Sequence, residues 1–128
     1  MEILSSRVVC HTDDIAGLRH FYEEVLGLRI YREYGRQAGQ FTGVVYFLGG
    51  GFLEITASDR PSPPITLWLQ VPKVTDEAAR LAAAGVELAK DADRMPWGLI
   101  ELWIRDPQGN ELRIVEVPED HPLRRRAG

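Results

Sequence analysis

The order of the predicted elements is the same on both sides of a proline-rich segment, and this repetition constrains the fold more than any other feature. Residues 58–64 hold three of the eight prolines in the 128-residue chain and show no apolar periodicity, which is typical of a linker. On each side, hydrophobic spacing predicts a strand, a helix that ends at a glycine (Gly27 or Gly85), and three further strands. The sequence therefore predicts an α+β fold of two βαβββ modules within a single domain 1–128, with module one at 3–57, module two at 65–117 and a tail at 118–128.

The boundaries of the elements follow from turn and capping residues. In module one, Asp13 and Asp14 provide N-cap chemistry for the helix that ends at Gly27, and Gly49-Gly50 joins two strands tightly. The predicted strands of module one are 3–11, 28–34, 41–48 and 51–57, with a turn at 35–39. Module two is predicted to contain a strand at 65–71, a helix at 74–84, a short strand at 86–88 and a final hairpin within 96–117.

The final hairpin has two chemically different faces. Its turn, Asp106-Pro107-Gln108-Gly109, has the composition of a type I turn. Because side chains alternate along a strand, Leu102 and Ile104 are expected in the core, whereas Trp103 and Glu101 face the other way. We expect function on the face that carries the charges and the large aromatic side chain.

Composition excludes several partners. The formal net charge of −4, with 45% hydrophobic and 27% charged residues, describes an ordinary globular protein with no general attraction to nucleic acid or to anionic membranes. No apolar run approaches the roughly 20 residues of a membrane helix, and the first residues lack a signal-peptide pattern. The single cysteine, Cys10, cannot form an internal disulfide. We therefore expect a cytoplasmic protein with neither nucleic acid nor membrane as a partner.

A four-stranded sheet covered by one helix leaves its second face bare, and two such modules side by side would form a shared cup. Alternation places a set of aromatic and charged side chains on this face, and an open aromatic surface favours a flat ligand or a second subunit. The candidate ligand-binding residues on this face are Arg7, Phe52, Glu54, Trp68, Trp103 and Arg113.

The chain resembles the vicinal oxygen chelate superfamily, which includes glyoxalase I, extradiol dioxygenases, fosfomycin-modifying transferases and bleomycin resistance proteins. The resemblance extends from Arg7 to Val117. It rests on the duplicated order, on His-Phe-Tyr-Glu-Glu-Val-Leu-Gly-Leu at 20–28, on Pro-Trp-Gly at 96–98 and on Asp-Pro-Gln-Gly-Asn at 106–110. It implies a cupped mixed sheet with the helices on its convex face. Its Pro-Trp-Gly motif adds Trp97 to the candidate ligand-binding residues.

Enzymes of this superfamily hold a metal with His, Glu or Gln side chains from four strands, and the resemblance places these positions at Arg7, Glu54, Thr66 and Arg113. Only Glu54 matches. A guanidinium group carries a permanent charge and offers no lone pair to a cation, so we expect neither a metal nor another cofactor. In place of the metal, Glu54 is expected to form a salt bridge with Arg7 or Arg113.

The resemblance implies three possible functions. The first is a metal-free homodimer, close to the bleomycin resistance branch, that sequesters a small aromatic or amphipathic ligand such as an antibiotic, with Arg7 and Arg113 as polar anchors. The second is a lyase, isomerase or dioxygenase in which Glu54 serves as metal ligand or general base. The third is a dimeric scaffold with a filled cup and no ligand.

Overall fold

A computed structural model describes residues 1–125 and divides the chain into two units between Pro63 and Pro64. Each unit contains a four-stranded mixed sheet with a helix between its first and second strands, which confirms an α+β fold of two βαβββ modules. The elements in chain order are β1 (Arg7–Thr12), α1 (Ile15–His20), a π-helical segment (Phe21–Val25), β2 (Ile30–Gln37), β3 (Gln40–Leu48), β4 (Gly51–Ala57), β5 (Thr66–Gln70), α2 (Val74–Ala83), β6 (Lys90–Arg94), β7 (Ile100–Arg105), β8 (Glu111–Glu116) and α3 (Pro122–Arg125).

The first unit has the strand order β1-β4-β3-β2, with β1 parallel to β4 and the other pairs antiparallel. Residues alternate along β4 as predicted: Leu53 and Ile55 are buried on the side of α1, whereas Phe52 and Glu54 share the other face. This register places Phe52 opposite Arg7 of β1. The sequence period therefore determined which face of the first sheet carries the charged residues.

The predicted helix of the first unit is divided into two parts. Asp14 caps it as expected, because its Oδ1 accepts a hydrogen bond from Gly17 N at 3.0 Å. After His20 the backbone hydrogen bonds join residues five apart, as in a π-helix: Leu26 N donates to Phe21 O at 2.9 Å. Gly27 then ends the helix with a φ of 71°. The apolar spacing does not reveal this change, because it reports the buried side of a helix and not its hydrogen-bond register.

The second unit has the order β5-β8-β7-β6, with β5 parallel to β8. The hairpin from β7 to β8 turns as predicted: Gly109 N donates to Asp106 O at 3.0 Å, and Asp106 Oδ1 accepts from Gln108 N at 2.9 Å. Leu102 and Ile104 are fully buried on the side of α2. The opposite face is less open than expected, because it contains the buried residues Glu101 and Val115.

Several predicted boundaries are wrong, and pairing geometry explains them. The strand predicted at 3–11 begins at Arg7, because β4 begins at Gly51 and residues 3–5 extend past the end of their partner strand. The turn predicted at 35–39 is only two residues long: Ala38 and Gly39 both have positive φ, as in a type I′ turn. The second strand of the second unit lies at Lys90–Arg94 and not at 86–88. Its sequence, Lys-Asp-Ala-Asp-Arg, has no apolar alternation because it is an exposed edge strand.

Within the predicted tail 118–128, Pro122–Arg125 form a short helix. His121 supports it, since its Nδ1 accepts a hydrogen bond from Leu123 N at 3.2 Å. Residues 126–128, the remainder of the predicted tail, lie outside the described residues. No helix within residues 1–125 has both the length and the apolar character needed to cross a membrane.

Candidate functional site

In the first unit, Glu54 is the centre of a small polar cluster. Arg7 Nη1 donates to Glu54 Oε1 at 2.7 Å, and the hydroxyl group of Tyr34 donates to Oε2 at 2.5 Å. Of the two predicted partners of Glu54, Arg7 and Arg113, Arg7 forms the salt bridge. Each carboxylate oxygen of Glu54 thus accepts one donor, from Arg7 on the neighbouring strand β1 and from Tyr34 on β2, beyond β3.

Tyr34 reaches Glu54 because a glycine lies beneath its ring. Tyr34 on β2 pairs with Gly43 on β3, and the strand beyond β3 is β4, which carries Glu54. A Cβ atom at Gly43 would overlap the Tyr34 ring. The absence of a side chain at Gly43 thus lets the ring extend across β3.

The cluster keeps Glu54 charged and Tyr34 neutral. Burial alone would raise the pKa of Glu54, but the hydrogen bonds from Tyr34 and Arg7, together with the Arg7 charge, hold it below its ordinary value of 4.5. The pKa of Tyr34 is raised above 10.0, because burial and the bond to Glu54 both favour the neutral phenol. Glu54 is consequently a weak base at neutral pH.

Aromatic side chains continue this face of the first unit. The guanidinium Cζ of Arg7 lies 5.9 Å from the centre of the Phe52 ring. Phe52 contacts Tyr31 and Phe47, with ring centroids 4.9 and 5.7 Å away, and both of these neighbours are exposed. The structure therefore brings together the three site residues predicted for module one, Arg7, Phe52 and Glu54.

In the second unit, tryptophan and arginine alternate across the sheet. Trp68 on β5 is in register with Arg113 on β8, which is in turn in register with Trp103 on β7. The Arg113 Cζ atom lies 4.3 Å from the centre of a Trp103 ring, and its Nε donates to Glu111 Oε2 at 3.0 Å. Trp68 is 48% exposed. We call Trp68, Arg113 and Trp103 the aromatic row.

Glu101 joins the remaining predicted tryptophan to this row. Trp97 Nε1 donates to Glu101 Oε2 at 2.7 Å, and Trp103 Nε1 donates to Oε1 at 2.8 Å. The Glu101 residue is only 2% exposed, whereas Trp97 is 51% exposed. A buried carboxylate thus holds two indole groups at once.

A model of the Glyoxalase/Bleomycin resistance protein/Dioxygenase superfamily matches residues 6–114 of the chain. The chain belongs to this superfamily. The resemblance inferred from the sequence motifs is therefore confirmed at the level of the superfamily.

Solved structures share the superfamily fold. TioX from Micromonospora sp. ML1 aligns with a TM-score of 0.76 and 19% identity, covering 88% of this chain and 97% of TioX. Lactoylglutathione lyase from Agrobacterium tumefaciens aligns with a TM-score of 0.66 and 21% identity, covering 86% of this chain and 90% of the lyase. At these identities the likeness shows the fold alone. No curated protein matches the chain.

The residues at the expected metal positions of the superfamily do not fit a metal. Arg7 and Arg113 are guanidinium groups without a free lone pair, and both oxygens of Glu54 are engaged. Thr66, the fourth position, is an exposed residue on β5. Within residues 1–125, no three His, Cys, Asp or Glu side chains lie close enough together to hold a metal ion.

Sequence reasoning missed two residues of these clusters, Tyr34 and Glu101. Alternation had placed Glu101 beside Trp103, but it could not show that the carboxylate is buried against two indole groups. Tyr34 could be recognised only from its pairing with Gly43, which needs the register between β2 and β3. Arg113, which was a candidate partner for Glu54, pairs with Glu111.

Proposed function

We propose that the chain is a metal-free binding protein that sequesters a small aromatic or amphipathic molecule, as bleomycin resistance proteins of its superfamily do. The aromatic row carries this proposal. Two tryptophan side chains with an arginine between them offer surfaces for stacking and a positive charge for an anionic group. A flat antibiotic with a carboxylate is one ligand of this chemical class.

The free donors of Arg113 support an anionic ligand. Its Nε atom is engaged by Glu111, but its two Nη atoms have no partner among residues 1–125. A guanidinium group in this state can still bind a carboxylate through two parallel hydrogen bonds. Arg7 is the corresponding polar anchor of the first unit, with Glu54 balancing part of its charge.

The state of Glu54 favours binding over catalysis. As a general base or a metal ligand, Glu54 would compete with its bonds to Arg7 and Tyr34, and its lowered pKa makes it a poor proton acceptor. Cys10 offers no alternative nucleophile, because its side chain is buried. Sequestration requires affinity alone.

We also propose that the protein acts as a homodimer in the cytoplasm. A single cysteine cannot form an internal disulfide, which fits a reducing compartment. The exposed aromatic side chains Tyr31 and Phe47 are the kind of surface that a second subunit or a ligand covers. Light scattering coupled to gel filtration distinguishes a dimer from a monomer.

The test of ligand binding uses a matched pair of probes, 2-naphthoate and the neutral 2-naphthamide, in calorimetric titrations. Wild-type protein should prefer the naphthoate by about 10- to 100-fold, the effect of one charge-assisted hydrogen-bonded contact. Arg113→Gln should remove this preference, and Trp68→Ala should weaken both probes by about fivefold or more. Arg80→Gln, on α2, is the matched control and should change neither affinity.

Two results would contradict the proposal. The first is failure of the wild-type protein to bind either probe or bleomycin. The second is a stoichiometric divalent metal in protein purified without a chelator, especially if Glu54→Gln abolishes it, because that result favours the enzymatic alternative.

A further inference from the structure

Glu101 has an unusual environment for a carboxylate. It is 2% exposed, and among residues 1–125 it has no positively charged partner. Its hydrogen bonds come from two neutral indole groups, those of Trp97 and Trp103. Its pairing partner on β8, Val115, is fully buried.

Such a residue is poorly explained by stability alone. A buried carboxylate loses its hydration, and an apolar side chain of similar size beside Val115 would avoid that loss. The carboxylate does what an apolar side chain cannot do, because it accepts one hydrogen bond at each oxygen and so links two donors in a defined geometry.

The two tryptophans that donate to Glu101 differ in how the fold holds them. Trp103 belongs to β7, where ladder hydrogen bonds to β6 and β8 hold its backbone. Trp97 lies in the turn Met95–Gly98, outside any strand, and its ring is 51% exposed. The backbone of this turn is held by Gly98 N donating to Met95 O at 2.8 Å and by His121 Nε2 at 3.1 Å from Trp97 O. The hydrogen bond to Glu101 is the polar contact that fixes the indole group itself.

We infer that Glu101 is a positioning residue that fixes the indole groups of Trp97 and Trp103 in place for the aromatic ligand, an inference that rests on the proposed function. Because Glu101 uses both indole N–H groups, these two tryptophans contact the ligand through their rings and not as hydrogen-bond donors. The ligand is therefore a flat π-system at this position, and its anionic group lies at Arg113.

The chain offers a direct spectroscopic test, because it has three tryptophans and hence three indole N–H signals in a ¹H–¹⁵N spectrum. Tryptophan-to-phenylalanine variants assign the signals. In Glu101→Gln, the side-chain amide cannot accept a bond at both ends, so the signals of Trp97 and Trp103 should move while that of Trp68 stays. Glu87→Gln, at an exposed carboxylate of the same unit, is the matched control and should move none of them.

Binding provides the second readout. Glu101→Gln should weaken 2-naphthoate and 2-naphthamide equally, by about three- to tenfold, since ordering one free side chain reduces affinity by that much. Equal loss for both probes separates this role from that of Arg113, which discriminates between them. Trp97→Phe should produce the same loss and leave the Trp103 signal in place, and it replaces Glu101→Gln if that variant does not fold.

The inference is overturned if the Trp97 and Trp103 signals do not move in Glu101→Gln, or if they move and both affinities remain within twofold of wild type. If the wild-type protein binds no probe, the proposed function fails, whereas the indole signals still decide whether Glu101 holds the two rings.

Discussion

The Tyr34 ring lies over Gly43, so the effect of Gly43→Ala on the free energy of unfolding tests the importance of this contact. Alanine at a strand glycine ordinarily stabilises a protein by about 0.5–1 kcal/mol, because glycine loses more chain entropy on folding. No positive φ prevents alanine at Gly43. We nevertheless expect Gly43→Ala to destabilise the first unit, because its methyl group would overlap the Tyr34 ring and force it away from Glu54.

The magnitude follows from the bond that is lost. The hydrogen bond from Tyr34 to Glu54 has a charged acceptor, and such bonds contribute about 1.5–3 kcal/mol. After the gain from replacing glycine is subtracted, the net loss should be about 1–2 kcal/mol. Urea unfolding followed by circular dichroism measures this difference.

A double-mutant cycle tests the cause. In a Tyr34→Ala background no ring opposes the new methyl group, so Gly43→Ala should become neutral or stabilising by up to about 1 kcal/mol. Tyr34→Phe keeps the ring and removes only the hydroxyl group, so it isolates the hydrogen bond. An equal cost of Gly43→Ala in both backgrounds would refute the explanation, as would a stabilising effect in the wild-type protein.

The remaining predictions concern one carboxylate in each unit. The pKa of Glu54 is lowered in the folded state, so its contribution to stability is present above its unfolded pKa near 4.5 and is lost as the pH falls through the lower folded value. Glu54→Gln should therefore lose less stability than wild type between pH 6 and pH 3 in urea titrations. Parallel stability curves for the two proteins would contradict this prediction. In the second unit, Asp106 is buried and accepts hydrogen bonds from Asn110 N at 2.9 Å and Asn110 Nδ2 at 2.8 Å, so Asp106→Ala should cost about 2–3 kcal/mol in the same assay. The exposed carboxylate of Asp91 is its control, and an Asp91→Ala variant of equal effect would rule out the buried bonds as the cause.

Local chemistry in the sequence determined much of the fold. Turn and capping residues such as Asp14, Gly27 and Asp106 act on their own backbone within a few residues, so their roles can be recognised without a structure. The period of two along β4 likewise placed Glu54 on the face of Phe52, whereas its expected pairing with Arg7 or Arg113 came from the resemblance, and the structure has Arg7.

The tertiary structure decided which residues meet across strands and how deeply they are buried. Edge strand β6 was placed too early in the sequence, because an exposed strand needs no apolar alternation and its position is set by hydrogen bonds to β7. Tyr34 reaches Glu54 only across Gly43, and Glu101 meets Trp97 only because a turn brings the indole group back to β7. Alternation along a strand assigns a side chain to one face of the sheet. Its neighbours and its burial depend on the register between strands and on the positions of loops, and both are fixed by contacts between residues distant in the sequence.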